Sequence, residues 1–313
     1  MLAFIARRVA ATIPVLGVVG VFIFLALRLG PGDPAAVLAG DFASPQQIEA
    51  IRERLGLNEP LPVQFATWLG QLARGDLGES FFFKRPVAEL IAQRVEPTLA
   101  LATVTIVLAV LVAVPLGVVA AHNQGSWLDR LVMMLSVVGF SVPVFVTGYA
   151  LIYLLAIQLK LFPVQGYVRL AEGFWPFLQR LILPSLTLSV IYIALIARIT
   201  RASVLEVLSE DYIRTARAKG LTERQVLFRH ALRNAAVPIV TVIGIGVALL
   251  IGGVVVTESV YNIAGLGRLT VDAVLARDFP VIQAVVLAFS AACVLINLVI
   301  DISYTAFDPR IRY

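Results

Sequence analysis

The most informative polar stretch lies between Ser209 and Asn234. Glu210 and Asp211 follow Ser209, and Arg214, Arg217 and Lys219 precede Gly220. Ser209 can cap a helix whose first-turn acids suit the positive end of its dipole. Gly220 accepts φ > 0 and can end that helix. Thr222-Glu223-Arg224-Gln225 then has the capping-box pattern for a second helix carrying Val226, Leu227 and Leu232. The chemistry on offer is recognition. A bent, basic, amphipathic hairpin either lies on a lipid surface or docks into another molecule. Catalytic and metal-ligating sets are missing from the sequence pattern. His122 and His230 lie far apart, Cys293 is the one cysteine, and no Cys/His/Asp grouping has ligand spacing. No paired carboxylates or nucleophile–base set share a depth, so no catalytic residue is assigned. No Gly-x-x-x-x-Gly-Lys-[Ser/Thr] run occurs, so the usual phosphate cradle is lacking.

The elements that carry this hairpin are set by composition. The 313 residues are 59% hydrophobic and only 14% charged, with a mean hydropathy of +0.91. Soluble domains carry about 25% charged residues. An all-α polytopic membrane protein is expected. A span needs about 20 apolar residues to cross the hydrocarbon, and six stretches qualify: Val9–Leu27, Thr98–Ala121, Leu131–Ile157, Leu181–Ala197, Val237–Thr257 and Val281–Ile300. None contains Asp, Glu, Lys or Arg. The runs are continuous, with no two-residue alternation, so they predict helices and no lipid-facing barrel. Val9–Leu27 exceeds the h-region of a signal peptide and reads as a retained span.

Basic residues orient the chain. The short loops on the N-terminal side hold Arg130, Arg198, Arg201, Arg214, Arg217, Lys219, Arg224, Arg229 and Arg233, joined by Arg7, Arg8, Arg310 and Arg312. The opposite short loops hold Lys160, Arg169, Arg180, Arg268 and Arg277. Both termini are therefore expected in the cytoplasm of a multi-pass inner-membrane protein. The same topology explains the net charge of +5 without nucleic acid as a partner. The long segment 30–97 is expected to carry small helices. Ser44-Pro45-Gln46-Gln47 is a capping box, Ile48, Ile51 and Leu55 share a face, and Gly56 ends the helix. A second stripe runs Phe65, Trp68, Leu69 and Leu72. This segment is either a platform for a partner or a cap on the first span. The chain divides as 1–97, the first span with its large segment, and 98–313, a five-span core with the hairpin loop 201–236.

Several of these stretches resemble one family. Arg214-Thr215-Ala216-Arg217-Ala218-Lys219-Gly220-Leu221, followed by Arg229-His230-Ala231-Leu232-Arg233-Asn234, looks like the signature loop of ABC-importer permeases. More narrowly, it resembles the dipeptide/oligopeptide/nickel family. Leu27-Arg28-Leu29-Gly30-Pro31-Gly32-Asp33-Pro34, Gly75-Asp76-Leu77-Gly78, Gly265-Leu266-Gly267-Arg268, Arg277-Asp278-Phe279-Pro280 and Asp308-Pro309-Arg310-Ile311-Arg312 are similar to further family motifs. The large segment after the first span resembles the B-type subunit. In the broader superfamily pattern Glu-Ala-Ala precedes the glycine and Ile-x-Leu-Pro follows. Here Arg214-Thr215-Ala216 stand at the first positions, and His230 and Arg233 replace Ile and Pro, as in the peptide-permease version.

The resemblance implies a type I importer permease fold. It implies a second, C-type permease subunit, two cytoplasmic ABC ATPases that use ATP and Mg, and an extracytoplasmic solute-binding protein, all around a chain that binds no cofactor itself. It implies peptides as substrate, with glutathione or chelated nickel as alternatives. It makes Asp211, Arg214, Thr215, Ala216, Ala218, Lys219, Gly220 and Leu221 the ATPase-coupling residues. A solute with amides and charged ends needs hydrogen-bond partners as it crosses. Ser141, Thr147, Ser185, Ser189, Tyr192, Gln283 and Asn297 are the candidate path residues, with helix packing the plainer reading of each. Glu258 and Asp301 sit at span edges, where either could meet a charged terminus or pair with an Arg. An ion-coupled carrier is the competing class, and the apolar spans offer it no relay carboxylate.

Overall fold

The computed structural model describes residues 2–29, 33–40 and 43–307. It is about 80% helical. Among the described residues the one extended pairing is an isolated bridge between Glu79 and Pro86. The Gly30-Pro31-Gly32 and 308–313 parts of the sequence motifs lie outside the described residues, as do the side chains of Arg7, Arg8 and Asp301.

The chain begins with α1 (Leu2–Leu29), α2 (Pro34–Ala39), α3 (Pro45–Arg54) and α4 (Leu61–Ala73). Ser44 caps α3 as its sequence predicts: Ser44 Oγ accepts from Gln47 N, and Gln47 Oε1 accepts from Ser44 N. Gly56, at φ +63°, turns the chain out of α3. Phe65 and Trp68 of α4 pack on Phe24 of α1, with ring centroids 5.2 and 5.8 Å away. The aromatic stripe thus caps the first apolar helix, one of the two roles its sequence allows. Arg28 lies over Phe24, 5.0 Å from its centroid, and its Nε donates to Gln64 Oε1 at 2.9 Å.

Next come α5 (Val87–His122), α6 (Trp127–Ser141) and α7 (Val144–Leu151), the last continuing as a π-helical turn, Ile152–Gln158. Then follow α8 (Phe174–Leu208), α9 (Asp211–Ala218), α10 (Glu223–Gln225), a π turn at Val226–Ala231, α11 (Leu232–Asn234), α12 (Ala236–Val260), α13 (Leu266–Leu275) and α14 (Phe279–Phe307). Among the described residues four helices are long and apolar enough to cross a membrane: α5, α8, α12 and Phe279–Ile300 of α14. The fifth candidate is the pair α6 and Val144–Gln158. It is bent by 105° at a short break. Here the expectation of one continuous span over Leu131–Ile157 is corrected. Pro143 has no N–H to give, and it drives Val142 to ψ 126°, out of helix geometry. Within α1 the apolar stretch is Ala10–Ala26. The spanning helices also outrun their apolar sequences. At 36 residues, α5 is about 54 Å long, against about 30 Å of hydrocarbon.

Two compact units result. One comprises residues 96–267 with the C-terminal residues from 295, the other residues 2–95 with 268–294. In the first, α8 is the central helix, packed by α6, α7 and α12. Its core is Leu181, Leu183, Leu188 and Ile196, with Leu101 of α5 and Leu250 of α12.

Candidate functional site

The hairpin forms as a helix, a glycine turn and a second helix. Its first cap differs from expectation by one residue. Ser209 ends α8, its Oγ donating to Glu206 O at 2.6 Å, and Glu210 is the extended residue before α9. The long helix simply continues to Leu208, so Ser209 serves its C-terminus. Gly220 has φ +80°, and its N–H closes the turn on Arg217 O at 2.9 Å. Thr222 and Gln225 form the second capping box.

Burial divides the hairpin into a held face and a presented face. Ile213 and Ala216 of α9 are buried, as are Val226, Leu227 and Ala231 of the second arm. Leu227 and Ala231 share a cluster with Val118, Val204 and Ile239 at the ends of α5, α8 and α12. Asp211, Arg214, Thr215, Ala218, Lys219 and Gly220 are exposed, and Leu221 is half-buried. Ala216, one of the expected coupling residues, therefore packs inward while its neighbours face out. Arg217 clamps the turn: its Nε and Nη2 donate to Glu223 Oε1 and Oε2 at 2.8 and 3.2 Å. That hydrogen bonding, reinforced by charge attraction, holds the Glu223 carboxyl below the usual carboxylate range. Asn234 Nδ2 donates to Tyr212 Oη at 2.9 Å and ties the two arms together.

A buried ion pair stands at the hairpin's base. Asp129, 4% exposed, accepts from Arg201 Nη2 at 2.7 Å, from Arg201 Nε, and from Gly125 N at 2.9 Å. It pins the start of α6 to the end of α8, the helix that leads into the hairpin. Sequence reading counted Arg201 only as a topology marker. The available signal was an acid three residues after the capping Ser126.

The candidate path residues fall in different settings. Ser185, Ser189 and Tyr192 share one buried face of α8. The Tyr192 ring faces α12, close enough that a Cβ on Gly246 would stand 3.4 Å from it. Ser185 Oγ is buried without a hydrogen-bond partner, and Ser189 Oγ donates to Leu186 O at 2.9 Å. Ser141 and Asn297 are exposed and Thr147 is half-buried. Gln283 is buried in the other unit, its Nε2 unpartnered.

Two motif carboxylates prove to be structural. Glu258 is fully buried. Thr98 Oγ1 donates to its Oε1 at 2.6 Å and accepts from Leu266 N at 2.8 Å. A Cβ on Gly265 would overlap the Glu258 carboxylate. The Gly-Leu-Gly motif is thus a backbone packed onto a carboxylate, and Glu258, at the end of α12, is covered by protein. In the other unit Asp278 is also fully buried. It accepts from Ser80 Oγ and from the N–H groups of Phe81 and Phe82, both at 3.1 Å. Residues nearly two hundred positions apart are joined there, which no local pattern could announce.

The model of the family described as binding-protein-dependent transport system inner membrane component matches residues 113–313, and that of its N-terminal part matches residues 1–102. This chain belongs to that family. A Sinorhizobium fredii relative named "Probable peptide ABC transporter permease protein" is 56% identical over 99% of both chains. The glutathione transport system permease protein of Escherichia coli K12 is 46% identical over the full length of both. Among solved structures, the inward-facing MetNI methionine ABC transporter matches with TM-score 0.60 at 20% identity. That match covers 70% of this chain and 96% of the other, so the two share a fold. The permease is accordingly a multi-pass inner-membrane transport subunit that works within a system of several components.

Proposed function

We propose that this permease pairs with a second, C-type permease subunit to form the path of an ATP-driven peptide importer. In this reading it has six spans, both termini lie in the cytoplasm, and an extracytoplasmic binding protein delivers the solute. Two ABC ATPases hydrolyse ATP with Mg and push on the hairpin. The observation that carries the reading is the hairpin's construction: a docked, capped base under an exposed face of Asp211, Arg214, Thr215 and Ala218. The 56% identity to a relative named for peptides supports the substrate class. The E. coli relative named for glutathione, itself a short peptide-like thiol, favours glutathione as the second reading.

The test is uptake of a labelled dipeptide and of glutathione by the reconstituted assembly, with and without ATP. Gly220→Pro replaces a residue at φ +80° by one fixed near −65°. It is expected to leave the assembly in the membrane and to abolish ATP-driven uptake. Uptake that survives Gly220→Pro, or that this chain alone drives down a gradient without ATP, contradicts the proposal.

A further inference from the structure

The unit formed by residues 2–95 and 268–294 contains a cavity of about 610 Å³. That lies within the roughly 300–1,000 Å³ of small-molecule sites. Its wall is unusually charged for this chain. Arg28, Arg54 and Lys84 contribute cations, and Asp76 and Glu79 contribute carboxylates. Arg28 is half-buried and is held by Gln64 through Nε, leaving both Nη groups for another acceptor. Asp76 accepts from Gly78 N at 2.9 Å through one oxygen, and the other faces no donor among the described residues. None of the five wall charges is paired with another across the cavity among the described residues.

An independent observation marks the same wall. Gln283, only 8% exposed, lines the cavity, and its Nε2 is buried without a hydrogen-bond partner. A buried amide donor left without a partner is unfavourable, and a turn of the Gln283 side chain toward the cavity would let a ligand carboxylate or carbonyl accept from it. A wall that carries cations, carboxylates and an unpartnered amide suits a molecule bearing both charges and a polar backbone. Trp68 and Phe81 on the same wall supply apolar surface.

We propose that this cavity is a binding subsite for a small zwitterion of the short-peptide or amino-acid class, its carboxylate toward Arg28, Arg54 and Gln283 and its ammonium toward Asp76 and Glu79. The proposal rests on the peptide reading above and gives the permease a solute site of its own, walled by the segment after α1 and the first turns of α14.

The full chain in lipid nanodiscs, with Trp127 and Trp175 replaced by Phe, leaves Trp68 as the reporter. Titration with alanyl-alanine should give a saturable fluorescence change. The capped, uncharged N-acetyl-alanyl-alanine amide and inorganic phosphate should give none. Gln283→Leu should weaken the dipeptide Kd about tenfold, corresponding to about 1.4 kcal/mol. The exposed pair Arg54→Gln with Lys84→Gln should do the same without touching the packed interior. No response to the dipeptide, an equal response to the capped form, or an equal response to phosphate overturns the subsite. ATP-driven uptake by the assembled transporter is scored separately. If uptake persists while binding is absent, the subsite falls and the importer reading stands.

Discussion

At the scale of single residues, the account turns on buried polar groups that hold segments together. Gly265 is one point of close approach. An added methyl would meet the Glu258 carboxylate, itself fixed by Thr98. Gly265→Ala is therefore expected to lower the melting temperature of the purified permease. Gly252→Ala in α12 has nothing within 4 Å of the new methyl and should leave it unchanged or raise it slightly through helix propensity. Equal melting temperatures for the two variants would contradict this packing. Asp129 and Arg201 form the second test. Removing either leaves a charge without its partner, at a cost of about 1–3 kcal/mol. Asp129→Asn and Arg201→Gln should each destabilise, and the double variant should be no worse than the poorer single one. Additive losses would mean the pair does not act as a unit. Only fragments of this were legible beforehand, in the Gly-Leu-Gly motif and in the acid after Ser126. Glu258 follows an apolar run, and the run says nothing of what covers the carboxylate. Its hydrogen-bond partner Thr98 is 160 positions away in sequence.

At the scale of elements, legibility followed how local the determinant is. The capping boxes at Ser44 and Thr222 and the stop at Gly220 depend on a few adjacent side chains, and all appear as read. The apolar runs located the long helices but underestimated their length, because a helix continues past the hydrocarbon as long as each added residue makes its bond. The third run looked continuous, and only the backbone restriction imposed by Pro143 breaks it. The hairpin turn carries a pH prediction. Arg217 depresses the Glu223 carboxyl, so this contact stabilises the turn fully above the ordinary Glu value of 4.5. It is lost as pH falls through the lower folded value. Amide exchange at residues 217–225, corrected for intrinsic rates, should speed up below about pH 4.5. Glu223→Gln should remove that pH dependence and exchange faster at neutral pH. Exchange independent of pH in the wild-type chain would show that the clamp does not hold the turn.

At the scale of the whole molecule, the apolar helices, the family match and the shared fold describe a membrane permease, and the hairpin is its proposed handle. In the proposed function ATPase partners drive the permease, and the exposed face of α9 is where they would push. Sequence carried this level well, since hydropathy and a signature loop are read without tertiary contacts. The candidate path residues fall in settings that the sequence does not distinguish. Ser185 and Tyr192 are buried inside the chain, and Ser141 and Asn297 lie on its surface. The most direct measurement is site-specific cross-linking in the assembled transporter, in a Cys293→Ser background. Thr215→Cys on the exposed face should form an adduct with an ATPase subunit, and Ile213→Cys on the buried face should not. The account would be contradicted if Thr215→Cys gave no such adduct, or if a membrane-impermeant thiol reagent labelled it from outside intact cells.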